Sequence, residues 1–277
     1  MTPTPRIMKA YFNVFYALMT TYRAEIFFWA IATSLPLIMM GVWVQAGASG
    51  AFEGFTSVDA ARYFIALFVI RQLTICWVIY EFEFSVVSGR LSAWLLHPVD
   101  PSWRFVMMHA GEQATRMPFS LIFIGLSLFI FPEALWGGEG REGLWLPQGW
   151  RVLLAIFCGY LAFLLRFLIQ YTTAMLAFWI ERVSALDAIN MLPYVFLSGL
   201  IVPIHTLPPA LQEVILWTPF PYMLWFPAML IAAPPEVMPA ELIVRGLITI
   251  ACWLGVFLLI SRLLWKRGLQ HYSAMGA

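Results

Sequence analysis

The stretch Pro203-Ile-His-Thr-Leu-Pro-Pro-Ala-Leu-Gln-Glu-Val-Ile-Leu-Trp-Thr-Pro-Phe-Pro-Tyr222 decides how the chain is read. It is too polar and too rich in proline to cross a bilayer as one straight helix. It is also too apolar for an ordinary water-exposed loop. A short helical hairpin that dips into the outer membrane face against its own protein satisfies both conditions, because broken backbone is tolerated there. Simple anchors have no use for such a segment, whereas transport proteins use broken helices to line or close a pathway.

The surrounding composition supports a membrane setting. The chain has 277 residues, 62% hydrophobic and 11% charged, with a mean hydropathy of +0.82. A soluble domain carries about 25% charged residues, so this chain cannot clothe a water-facing surface and is expected to be an integral membrane protein. The net charge of +1 carries no nucleic-acid signal. Cys76, Cys158 and Cys252 fall in apolar runs without metal-site spacing and are expected as buried small hydrophobes.

A spanning helix needs about 20 mainly apolar residues. Six segments qualify: 26–46, 63–84, 105–131, 152–180, the short 188–202 that leads into the hairpin, and 242–265. Ala46-Gly47-Ala48 resembles a signal-peptide cleavage site, but some 25 residues precede the apolar run and the run is long enough to span, so it is expected to stay. Before it, Ile7, Tyr11, Phe15, Leu18 and Tyr22 recur at helical spacing beside Arg6, Lys9 and Arg23. This reads as an interfacial helix over residues 1–25, or as the leading end of the first span. Loop arginines and lysines set the orientation. Arg6, Lys9, Arg23, Arg90, Arg104, Arg182, Lys266 and Arg267 share one side, expected to be cytoplasmic with both termini; Arg62, Arg141 and Arg151 share the other. The hairpin, 203–239, has no Lys or Arg and is placed outside. In the outer loop 132–148, the glycine-rich tip is a turn, and the neighbouring tryptophans suit interface depth.

Arg71, Arg116 and Arg166 each lie near the middle of an expected span. A charge at that depth costs at least about 2.5 kcal/mol. Glu112, one turn from Arg116, is positioned to neutralise it. Arg71 and Arg166 have no evident partner in the sequence. Either they line a translocation path and meet an anionic headgroup or a partner subunit, or they bind backbone carbonyls or the interface. Glu81 and Glu83 orient the following loop or are solvated acids. Pro36, Pro118 and Pro193 are candidate kinks.

The loop between spans two and three reads Gly89-Arg-Leu-Ser-Ala-Trp-Leu-Leu-His-Pro-Val-Asp100. Leu91, Trp94 and Leu95 form one face of a short helix, suited either to docking in a partner groove or to resting on the membrane. This run resembles the "G…LL-x-P" cytoplasmic loop of ABC-2-type transporter permeases, in the branch of uncharacterised export permeases. Phe196-Leu-Ser-Gly-Leu-Ile-Val-Pro203, followed by Leu207-Pro-Pro-Ala-Leu-Gln212 and Thr218-Pro-Phe-Pro-Tyr222, resembles the hairpin of the same family. His97 departs mildly from a position where relatives carry a basic residue. The resemblance covers essentially the whole chain and implies a single all-α transmembrane domain over residues 1–277 with six spans. It also implies an exporter half in a bacterial inner membrane. There the chain would pair with a second permease, identical or homologous, with membrane lipids around it, and with two cytoplasmic ATPases that bind the ATP and Mg. No cofactor is expected in this chain, which has no GxxxxGK[ST] loop. The resemblance implies an ATPase-coupling segment at Gly89, Arg90, Leu91, Trp94, Leu95, His97 and Pro98. It implies an outer gate at Pro203, Pro208, Pro219, Pro221 and Tyr222.

Competing classes fit less well. An ion-coupled secondary transporter favours mid-membrane acids and inverted repeats, whereas here the midplane charge is mainly basic and no repeat is visible. A membrane enzyme is disfavoured because HExxH and GxSxG are absent and His97, His109, His205 and His271 are scattered. A pure assembly subunit remains compatible with the sequence. The substrate expected of an exporter is hydrophobic or amphiphilic: a drug, a lipid or a lipid-linked glycan.

Overall fold

The computed structural model describes residues 3–50, 55–138 and 141–274. The described chain is built of helices, apart from a two-stranded turn pairing Gly137–Gly138 with Arg141–Glu142. In chain order the helices are α1 (Pro5–Thr21), α2 (Arg23–Ala32), α3 (Leu35–Ala48), α4 (Ser57–Thr74), α5 (Val78–Val87), α6 (Arg90–Leu95), α7 (Pro101–Ile130), α8 (Glu133–Trp136), α9 (Gly149–Ala174), α10 (Asp187–Leu197), α11 (Pro209–Leu216), α12 (Trp225–Ala232) and α13 (Ala240–Ala274).

Among the described residues, five helical segments are long and apolar enough to cross a membrane: Ala24–Ala48, Ser57–Val87, Pro101–Ile130, Gly149–Phe178 and Ala240–Tyr272. The expected sixth, 188–202, is shorter than a span. Its helix, α10, has 11 residues, about 16 Å of rise, roughly half of a hydrocarbon core of about 30 Å. It stops because Gly199 takes a left-handed backbone, with φ of 83°. A Cβ there would meet the Tyr63 hydroxyl and the Trp225 side chain, so only glycine fits.

Two of the spans are interrupted. The first breaks at Thr33 and Ser34, and Pro36 falls in the first turn of α3, where its missing N–H costs nothing. The second opens on a capping box, Thr56 with Asp59, and its helix stops at Thr74 and resumes at Val78. That break carries neither glycine nor proline. Pro118, by contrast, lies inside an unbroken α7.

The buried residues form two clusters. Along the second span the first cluster reaches Ile70 and the second begins at Cys76; Arg71, Gln72 and Thr74 lie between them. The first cluster gathers α4, α9 and the largely buried α12, where Phe226, Ala228 and Leu230 are inaccessible. The second gathers α5, α6, the start of α7, the later part of α9 and the end of α13. Cys76 and Cys158 are buried as expected, whereas Cys252 is exposed on α13.

Candidate functional site

At one end of the bundle, α6 is both exposed and anchored. Gly89 enters it with φ of 72°, a left-handed turn that reverses the chain in a single residue. Leu91, expected on the docking face, is instead fully buried in the second cluster. A six-residue helix has little room to set its phase from sequence, and here the buried stripe passes through Leu91. Trp94 is half-buried. Its ring sits 5.7 Å from Phe105 and 4.6 Å from the Arg104 guanidinium, which also lies 5.2 Å from Phe15 of α1. Ser92 and Tyr272 of α13 share a hydrogen bond at 2.9 Å. The free face carries Arg90, Leu95, Leu96, His97 and Pro98; Leu96, at 86% exposure, is its apolar tip. The adjacent Leu95-Leu96 pair in the quoted loop was the signal for that tip. Glu83 accepts a hydrogen bond from the Ser184 hydroxyl at 3.1 Å and so ties α5 to the loop before α10. Glu81 is exposed.

At the other end lies the proline-broken excursion. Residues 204–206 form a 3-10 turn, α11 follows, and a second 3-10 turn, Phe220–Met223, leads into α12. The Trp225 N–H donates to the Ser198 carbonyl at 3.0 Å, so the excursion starts and ends at one place. Tyr63 donates to the Gly199 carbonyl at 2.8 Å, and Trp43 to the Ile201 carbonyl at 2.8 Å. Of the expected gate residues, Pro203, Pro219, Pro221 and Tyr222 are buried and Pro208 is exposed. The Tyr222 hydroxyl donates to the Leu216 carbonyl at 2.8 Å. His205 lies edge-on to Phe55 and Tyr63 and accepts from Trp225 Nε1 at 3.4 Å; burial holds its imidazole down at about 4. Arg151, read from sequence only as a marker of sidedness, is buried and donates to the Ala233 and Met238 carbonyls at 3.1 and 2.9 Å. It fixes the linker between α12 and α13.

Between the two ends runs a buried chain of hydrogen bonds. Gln72 Nε2 donates to Thr33 at 3.2 Å. Arg116, fully buried, gives Nη2 to the Gln72 carbonyl at 2.9 Å and Nη1 to Glu112 at 2.7 Å. Gln113 donates to the Leu73 carbonyl at 2.6 Å. Glu112 accepts from the Trp77 indole at 2.9 Å. The Trp77 N–H donates to His109 Nε2 at 2.9 Å, which makes Nε2 the acceptor and leaves Nδ1–H to donate to the Phe105 carbonyl at 2.7 Å. One polar face of α7, at spacings of three and four residues, thus supplies the partners that the broken second span lacks.

Arg116 is therefore engaged within the bundle, as its spacing to Glu112 suggested. Arg166 is different. Its guanidinium stacks on the Tyr194 ring at 3.9 Å, and Nη1 is buried without a hydrogen-bond partner. The Nε and Nη1 of Arg71 are in the same condition. A small cleft opens beside Arg166, between α9 and α10.

The fold is that of a multi-pass helical membrane protein with an anchored, exposed helix at one end and a returning hairpin at the other. Residues 30–276 match the sequence pattern that defines the ABC-2 family transporter proteins. The chain belongs to that family and is a transporter permease, a membrane component of a kind that is generally not catalytic itself and generally pairs with ATPase subunits. No curated protein matches it.

Proposed function

We propose that this chain is half of the membrane pathway of an ATP-driven exporter in a bacterial inner membrane. It pairs with a second permease chain, identical or homologous, and with two cytoplasmic ATPase subunits that bind the ATP and Mg. It moves a hydrophobic or amphiphilic substrate. The basic end, with α6 and both termini, faces the cytoplasm. α1 is interfacial, α10 is a shortened fifth pass, α13 is the sixth, and α11 and α12 form a re-entrant hairpin whose proline-rich turns gate the outer side.

The observation that carries this reading is the two-sidedness of α6. Its exposed edge, from Arg90 through Leu95 and Leu96 to His97 and Pro98, presents a knob to a partner groove. Its other side is tied to α7 through Trp94, Phe105 and Arg104 and to α13 through Ser92 and Tyr272. A push on the knob is then delivered to two spans at once. α7 carries it to the polar chain that holds the broken second span, and so towards the Arg71, Arg116 and Arg166 belt.

A pull-down of the tagged chain from mild detergent, with an ATPase assay, tests the proposal. The wild type is expected to retain an ATPase and hydrolyse ATP. The Leu95→Asp, Leu96→Asp pair, on the exposed edge of α6, is expected to lose both while remaining monodisperse. A wild type that brings down no ATPase overturns the reading.

A further inference from the structure

The cleft beside Arg166 is lined on its polar side by Gln170, Asp187, Asn190 and Tyr194 and closed on its apolar side by residues that include Phe220 and Met223. Arg166 is only 9% exposed. It is pinned by the Tyr194 ring rather than by a carboxylate, so one edge of its guanidinium stays unbonded while buried. The Tyr194 hydroxyl is buried and unbonded too. Asp187, the acid on the rim, already accepts from Tyr80 at 3.1 Å and from Gln170 at 3.3 Å. Arg71, Arg116 and Arg166 lie within each other's electrostatic reach, and the neighbouring acids are Glu112 and Asp187. Glu112 is already paired with Arg116, and among the described residues no ion pair reaches Arg71 or Arg166. An uncompensated buried charge is strongly unfavourable, and guanidinium groups with free edges are shaped to grip oxyanions in pairs of hydrogen bonds.

We propose that this cleft binds the phosphate head of a membrane amphiphile. Arg166 and the Tyr194 hydroxyl hydrogen-bond its oxygens, and Arg71 supplies the second positive charge. The inference rests on the permease reading above and narrows its substrate class to anionic amphiphiles. The cleft is shallow, so only the phosphate oxygens reach Arg166 and Tyr194, and the acyl chains lie outside it, along the exposed apolar side of α10, where Ile189, Leu192 and Phe196 face outward.

The test is native mass spectrometry of the purified, delipidated chain. It is titrated with phosphatidylglycerol, with diacylglycerol of the same acyl chains, and with inorganic phosphate. The wild type is expected to hold phosphatidylglycerol over diacylglycerol by about tenfold or more. Arg166→Gln and Tyr194→Phe lose that preference, while Arg245→Gln, a surface change at the hairpin end, keeps it. Retention that millimolar inorganic phosphate does not displace assigns the site to a lipid head. Displacement by phosphate supports an oxyanion site open to water and overturns the lipid assignment. A wild type with no preference between the two lipids overturns the proposal, whether or not the variants fold. The ATPase pull-down on the same preparation keeps the two readings apart. An ATPase retained without lipid preference sinks only the oxyanion site, and an absent ATPase sinks only the exporter reading.

Discussion

Trp77 gives its backbone N–H to Nε2 of His109 at 2.9 Å, so a side chain of the third span completes the backbone of the second where its helix stops. His109 is fully buried and is the acceptor that this N–H uses. His109→Leu fills the space but removes the acceptor. A buried donor left unsatisfied costs about 1–3 kcal/mol. The variant is expected to unfold earlier by about that amount in detergent denaturation, with helix content unchanged. Equal stability would show that the break finds another partner.

Arg116 and Glu112 form an ion pair at 2.7 Å in which Arg116 is inaccessible. Removing one partner strands the other. Arg116→Met alone is expected to cost about 3–5 kcal/mol. The double change Arg116→Met, Glu112→Leu is expected to cost less than the sum of the two single changes, because no lone charge remains. A double-mutant cycle on unfolding midpoints reads the coupling directly. Additive losses would mean that the pair is not the unit that matters.

Gly246 of α13 faces the Phe226 ring of α12 so closely that a Cβ would fall on it. Phe226 is itself fully buried and cannot swing away. Gly246→Ala is expected to cost about 1–3 kcal/mol through overpacking. Adding Phe226→Leu is expected to recover part of the loss. An alanine variant as stable as the wild type would show that α13 can shift along the bundle.

His205 sits neutral beneath Phe55 and Tyr63, with its imidazole held at about 4 against an ordinary 6.5. Above about 6.5 both folded and unfolded forms are unprotonated and the stability is fully present. As pH falls from about 6.5 to about 4, the unfolded form takes up the proton first and the hairpin loses stability, by at most about 3 kcal/mol. Proteolysis of the excursion, followed against pH, is expected to accelerate in that window, and His205→Gln is expected to flatten the dependence.

Legibility from sequence followed the range of the forces. The long apolar runs stand out because each helix is its own signal; five of the six expected segments are long enough to span. The Arg116–Glu112 pair was visible because both partners share one helix face four residues apart. The break at residues 75–77 was not visible, since nothing in Ile75, Cys76 or Trp77 stops a helix. It exists because His109, Glu112, Gln113 and Arg116, some 30 to 45 residues onward, offer the backbone better partners than its own next turn. The phase of α6 failed for a related reason. Leucines stand at 91, 95 and 96, and only the neighbouring spans decide which of them is covered. Arg151 looked like a loop charge because its two carbonyl partners lie more than 80 residues away.

The bond from the Trp225 N–H to the Ser198 carbonyl makes the segment from Gly199 to Leu224 a closed pocket of chain with a narrow neck. Tyr63 and Trp43 hold that neck to α4 and α3. A change of length in the exposed turn around residues 208–211 is therefore expected to leave the register of α10 and α12 in place. The remainder of the segment has no such freedom, because Ile204, Ile215, Tyr222, Met223 and Leu224 are packed into the first cluster.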